Sequence, residues 1–311
     1  MKKTYFILHF SVVIAAFTGI FGKLISLNEG LLVWYRIFFS FVWLFFIVKL
    51  FRVNTAITTR EKLDIAKIGL LISIHWIFFY GSIKYGNISI GAVCYCLTSF
   101  FTAIFAPIIN RKKFAVTELV LSLFTLLGIS LIFHFDVSYQ LGIALGTISS
   151  AFAALYTIYN ERLVKKYDSK LINYYQMMGG TIGWGILLPV YLHYFPVKSI
   201  LPGMEDTVYL LLLSLICTVG LYIMFAESLK RIPAFTVNLS FNMEPIYAIT
   251  MAFLFFGEGK QVNGAFYVGL LLVGVSVILQ TVISVQQKRR LVRNAGVFEV
   301  SGVSDDIRDS H

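Results

Sequence analysis

Glu244 lies about ten residues into an apolar run, with Pro245 directly after it. At ~1.5 Å per residue this is roughly 15 Å from the start of a helix, the middle of a bilayer-length span. Ionisable groups at such depth are costly and read first as functional. Pro245 has no N–H and frees the Phe241 carbonyl, which makes a polar, bendable point in the run. Three roles are open to Glu244: a structural carboxyl bonded to a neighbouring helix, a wall of the substrate path, or a carrier of a coupling proton. Ser240, Glu244, Tyr247 and Met251 share one helical stripe, and Asn238 and Asn242 share another. So much polarity on two sides suits a central helix facing a cavity. Asn242 reads equally as a substrate contact or as an interhelical clamp.

His75 sits mid-run beside Trp76. It either carries a proton near neutral pH or is a neutral ring hydrogen-bonded across helices. Trp76 and Tyr222 read as cavity walls or as aromatic filler. Arg36, about six residues into the second run, either attracts a carboxylate or phosphate with its forked donors or snorkels to the headgroups. Lys23 is read as snorkelling, and Glu227 as a surface partner of Lys230 or Arg231, or else a gate. Cys94, Cys96 and Cys217 lie in apolar stretches, with no zinc or redox spacing. No nucleotide-binding loop, metal motif or hydrolase motif occurs, so no cofactor is expected. Any uphill transport would then draw on an ion gradient, such as one of protons, or on a partner.

These residues need elements to hold them, and the composition says which. Of 311 residues 58% are hydrophobic and 14% charged, with a mean hydropathy of +0.80. Soluble domains carry about 25% charged residues, so a soluble enzyme, a disordered chain and a disulfide-stapled domain are all excluded. The net charge of +10 does not point to nucleic acid, because Lys and Arg cluster between long apolar runs. Ten such runs of about 20 residues occur, at 5–25, 31–51, 65–83, 88–109, 116–134, 140–159, 171–194, 206–228, 234–256 and 265–285. They lack the alternation of barrel strands. The first run is read as a retained helix rather than a cleaved signal. With ten helices and a cytoplasmic N-terminus, 21 of the 26 Lys and Arg fall on the cytoplasmic side, as the positive-inside rule requires. Both termini are then inside, and the polar tail 288–311 meets anionic headgroups. Gly142-xxx-Gly146 and Gly179-xxx-Gly183 allow close helix approach within the chain; monomer and homodimer remain open.

A shift of 146 residues lays Ser82–Phe133 on Ser228–Leu279 without a gap and pairs Trp76 with Tyr222. Residues 1–135 and 139–287 thus form two five-helix repeats, and an odd helix number makes them inverted. Inverted repeats around a midplane site are a transporter design. The stretch Asn242-Met243-Glu244-Pro245-Ile246-Tyr247-Ala248, followed by Gly257-Glu258, resembles the ninth-helix signature of the EamA family in the drug/metabolite transporter superfamily. In the first half, Thr98-Ser99 stand where Glu244-Pro245 would be expected. The resemblance implies an inner-membrane carrier of small metabolites, often an exporter of amino acids or related compounds.

The expected protein is an all-α polytopic membrane protein and a secondary transporter in the bacterial inner membrane. Its solute would bind at His75, Trp76, Tyr222, Asn238, Asn242 and Glu244, with Glu244 and Arg36 serving coupling or gating. A sensor without flux and a lipid-linked group-transfer enzyme are the competing classes. The loops are short and poor in paired acids for the enzyme, and the tail is small for a sensor output.

Overall fold

A computed structural model describes residues 2–116 and 139–257 continuously, with isolated helical positions between 119 and 127 and between 264 and 282. The regular elements among the described residues are helices: α1 Lys2–Leu24, α2 Glu29–Leu50, α3 Thr59–Tyr85, α4 Ile88–Tyr95, α5 Leu97–Asn110, α6 Gln140–Leu163 and α7 Ser169–Tyr194. They continue with α8 Met204–Ser214, a π-helical stretch Leu215–Gly220, α9 Leu221–Leu229, α10 Ala234–Phe241 and α11 Glu244–Phe256. The fifth and tenth apolar runs, the junction between the proposed halves and the tail 288–311 lie largely or wholly outside the described residues.

Among the described residues seven segments are long and apolar enough to cross a membrane: Lys3–Leu24, Glu29–Leu50, Thr59–Tyr85, Ile88–Asn110, Gln140–Leu163, Met204–Leu229 and Ala234–Phe256. Helix α7 has the length, 26 residues, but its glycines, tyrosines, Asn173 and Gln176 make it less apolar. The protein is a polytopic helical membrane protein.

Local sequence explains where these helices start and stop. Asn28 accepts from the Leu31 N–H at 2.9 Å, and Asn87 accepts from Ile90 at 2.8 Å; each satisfies a donor that the first helical turn leaves open. Thr58 and Glu61 close a reciprocal capping box at the start of α3. Gly257, at φ +64°, ends α11 in the left-handed region that a Cβ disfavours.

The fourth and ninth runs are each broken in the middle. Between α10 and α11 the backbone tightens, Asn242 N–H donating to Leu239 and Met243 N–H to Ser240, and the helix restarts at Glu244-Pro245. Proline is tolerated there because the first turn needs no N–H from it. Between α4 and α5 there is no proline. Cys96 N–H bonds to Val93 instead, and Ser99 and Thr102 hydroxyls bond back to the carbonyls of Cys96 and Thr98, a habit of Ser and Thr that bends helices.

The helices pack in a recognisable set of pairs. Helix α3 lies against α6 and α7, and α2 against α7 and α8; α1 lies against α9 and α11, and α4 against α6 and α11. At the α3–α7 crossing the backbones nearly touch: a Cβ on Gly69 would fall 1.9 Å from the Gln176 carbonyl oxygen, and one on Gly179 would fall 2.3 Å from that of Ala66. Gly146 packs on Cys94 and Ser82, so these glycines serve contacts within the chain.

Candidate functional site

Where the central helices converge, Ala15 and Thr18 of α1, Arg36 of α2, His75, Trp76 and Phe79 of α3, Tyr95 of α4, Leu221 and Tyr222 of α9, Phe241 of α10 and Glu244 of α11 enclose a cavity of about 30 Å³. A space of that size admits a water or two, since about 10–15 Å³ on this measure suffices for one. The lining comes from both ends of the sequence, and a broken helix contributes the acid.

Arg36 is 1% exposed and points inward, not to the headgroups. Its Nε donates to Thr218 Oγ1 at 2.8 Å, Nη1 to Tyr80 OH at 2.6 Å and Nη2 to the Cys217 carbonyl at 3.0 Å. The guanidinium carbon lies 3.8 Å from the centroid of the Trp76 ring, a cation–π stack strengthened by desolvation. The snorkelling alternative thus fails. Helix α2 carries Arg36 on the face packed against α3, α8 and the π-helical stretch, and four protein groups occupy the side chain. The widened turn of that stretch helps, because π-bulges displace carbonyls from the regular ladder, and Cys217 offers its own to Arg36.

Glu244 is 4% exposed and opens α11. Its carboxyl makes no hydrogen bond or ion pair with a described residue and faces the cavity shared with Arg36. Thr98, which the 146-residue shift places opposite Glu244, is also buried but does not line the cavity. The acid therefore has no counterpart there from the first half.

His75 is tied to α6. Its Nδ1 lies 3.0 Å from the Ser149 carbonyl and 2.8 Å from Ser149 Oγ, and that hydroxyl returns a bond to the His75 carbonyl at 3.0 Å. With Nδ1 engaged, Nε2 has no hydrogen bond among the described residues. Tyr95 stands over the ring at 5.5 Å between centroids. Trp76 and Tyr222 meet edge to face at 5.3 Å, so two positions 146 apart in sequence touch in space. Cys96 and Asn242, also 146 apart, touch as well, through the Cys96 thiol and the Asn242 carbonyl at 3.8 Å.

The structure thus brings Arg36, His75, Trp76, Tyr222 and Glu244 around one cavity. It places Asn238 and Asn242 elsewhere. Asn238 Nδ2 donates to Thr102 Oγ1 at 2.8 Å and its Oδ1 accepts from Thr157 Oγ1 at 3.0 Å, which bolts α10 to α5 and α6. The Asn242 amide lies 3.0 Å from Ser99 Oγ. Both bond across helices, and neither lines the cavity. Tyr80 and Thr218, which hold Arg36, were not singled out in the sequence. The available signal was spacing: Tyr80 is one turn beyond Trp76, and Thr218 is one turn before Tyr222. Glu227 accepts from Lys230 Nζ at 2.7 Å and from Ser169 Oγ at 2.7 Å, so it is both a surface pair and a link to α7.

At the end of the bundle where α1 and α3 finish, the Asp206 carboxylate accepts from Ser26 N–H at 2.8 Å and Ser26 Oγ at 2.6 Å. Tyr191 OH donates to Glu29 at 2.7 Å, and Lys84 Nζ donates to the Leu27 carbonyl. An open recess of about 940 Å³ lies there, lined by Glu29, Lys84, Lys198 and Asp206 among others.

A bundle of apolar helices around a small polar cavity defines a polytopic helical membrane protein. Comparison with known proteins makes the class specific. The model of the EamA-like transporter family matches residues 2–134 and 140–280, and the chain belongs to that family. An uncharacterized transporter of Clostridium kluyveri is 26% identical over 216 residues, 66% of this chain and 68% of the relative. The uncharacterized transporter YdfC of Bacillus subtilis is 26% identical over 216 residues, 67% of this chain and 69% of the relative. One solved crystal structure superposes with a TM-score of 0.67 over 91% of this chain and 98% of its own, at 12% identity, a likeness of fold.

Proposed function

We propose that the protein is a secondary transporter that moves a small polar or amphiphilic metabolite, such as an amino acid or related compound, across the bacterial inner membrane by alternating access. Export is the proposed direction, with both termini in the cytoplasm. The observation that carries the reading is the central cavity, lined by six apolar runs, where an arginine without an ion-pair partner and an unbonded carboxyl among the described residues sit beside aromatic side chains.

The proposed architecture is ten helices in two inverted halves. The described packing supports it. Exchanging each run for the one five places along turns the contact of the third with the sixth into that of the eighth with the first, and the contact of the fourth with the sixth into that of the ninth with the first. The second–seventh and fourth–ninth contacts map onto themselves. Two pairs of equivalent positions, Trp76 with Tyr222 and Cys96 with Asn242, meet where a pseudo-twofold axis would run. The two stretches matched by the family model divide at the same place. Rocking of two such halves about the centre would expose the cavity to each side in turn. Glu244 would bind the solute's cationic group or a coupling proton.

Counterflow in proteoliposomes tests this, with labelled amino acids, purines and sugar derivatives, with and without an imposed proton gradient. Saturable counterflow of one solute class, chemically unchanged, is the expected result. Chemical alteration of a solute would instead favour the group-transfer enzyme, and binding without flux the sensor.

A further inference from the structure

A basic and an acidic side chain, Arg36 and Glu244, line the cavity without pairing. The hydrogen-bond partners of the Arg36 guanidinium are two hydroxyls and a carbonyl, none of them an anion. Among the described residues Glu244 carries no hydrogen bond, and neither residue takes part in an ion pair. A buried cation without a counter-ion and a buried carboxyl without a hydrogen bond are each costly, and a ligand that pairs with both offsets that cost. Of the five guanidinium N–H groups, three are engaged, so two remain. The three bonds and the Trp76 stack hold the fork rigid, which is the condition for a strong charge-assisted pair with a carboxylate.

We propose that Arg36 reads the carboxylate of a small zwitterionic solute and Glu244 reads its ammonium, so that charge at both ends determines what the protein carries. Tyr80, Thr218 and Trp76 are positioning residues: they aim the fork at the cavity. The aromatic faces of Tyr95, Tyr222 and Phe241 leave room for varied side chains once the cavity widens, while the two charges set the register. This rests on the carrier reading.

The test uses purified full-length protein and alanine, serine, leucine and phenylalanine, each beside its carboxamide and its deaminated acid. Binding is read as the ligand-induced rise in unfolding temperature, and flux as counterflow. At least one zwitterion should bind, with its amide and its deaminated acid each about tenfold weaker or more, as the loss of one charge-assisted pair implies. Arg36→Lys keeps the charge without the fork and should weaken the zwitterion by about tenfold. Glu244→Gln should abolish the preference for the zwitterion over the deaminated acid, and it decides the matter should the Arg36 variant fail to fold. Amides that bind as well as their parents, a Glu244→Gln protein with unchanged discrimination, or a folded wild type that binds no zwitterion would each overturn the proposal. Flux of an uncharged solute that both variants leave intact would also overturn it while the carrier reading stands. Charge-dependent binding with no flux of any solute would sink the carrier reading instead and leave the charge assignment in place.

Discussion

Arg36 and Asn238 show how differently two buried polar side chains can be used. Arg36 has three hydrogen bonds and a stacked ring on one side and a cavity on the other. Asn238 is enclosed on both sides, with its amide nitrogen on Thr102 and its amide oxygen on Thr157. The arginine can therefore meet a ligand, and the asparagine holds helices together. Asn238→Ala should lower stability by about 1 kcal/mol, the usual net worth of hydrogen bonds between membrane helices, and leave solute affinity unchanged. Thermal unfolding in detergent beside counterflow affinity checks the split; a variant of normal stability and lost affinity would return Asn238 to the site. His75 belongs between these cases, anchored to α6 through Nδ1 yet lining the cavity with the rest of its ring.

Among the elements, the interruptions matter as much as the helices. Glu244 reaches the cavity because the ninth run stops at Asn242 and restarts at Glu244, and the fourth run breaks at the equivalent Cys96. The proline beside Glu244 announced the first interruption. The second has only Ser and Thr side chains bonding back along the helix, a weaker sequence signal. The π-helical stretch Leu215–Gly220 gave no sequence signal, since its hydrophobic residues are those of any apolar helix. Helix approach is governed by glycine at α3–α7. Gly69→Ala would put a methyl carbon 1.9 Å from the Gln176 carbonyl oxygen, and backbone cannot step aside as a flexible side chain can. The helices must separate, at a cost of about 1–3 kcal/mol or more. A lowered unfolding temperature is expected, whereas unchanged stability would mean that the crossing is looser than described.

For the whole molecule the question is how the bundle sits in the membrane. In the proposed topology, which rests on the Lys and Arg asymmetry, the recess around Lys198 and Asp206 would face outside and the loops around Asn54 and Asp168 the cytoplasm. Cys94, Cys96 and Cys217 are all buried, so a membrane-impermeant thiol reagent gives a clean background. Ser199→Cys should label in intact cells, and Asn54→Cys only after permeabilisation. The reverse pattern would invert the topology and with it the direction assigned to transport.

Length, spacing and charge distribution are local quantities, and they sufficed for the helical membrane class, the starts of the described helices to within about six residues and the family resemblance. A bilayer leaves a chain of apolar runs little choice but helices. The depth of Glu244 and its proline were also legible, because both are positions along one helix. Which way a side chain faces is set by neighbours far away in sequence, and only the tertiary structure decided that. It turned Arg36 inward onto Trp76, Tyr80 and Thr218, engaged His75 with Ser149, and made clamps of Asn238 and Asn242. Each outcome depends on the rotation of one helix against another. The glycine contacts of α3 with α7 and the breaks in the fourth and ninth runs set that rotation, and no single stretch of sequence contains it.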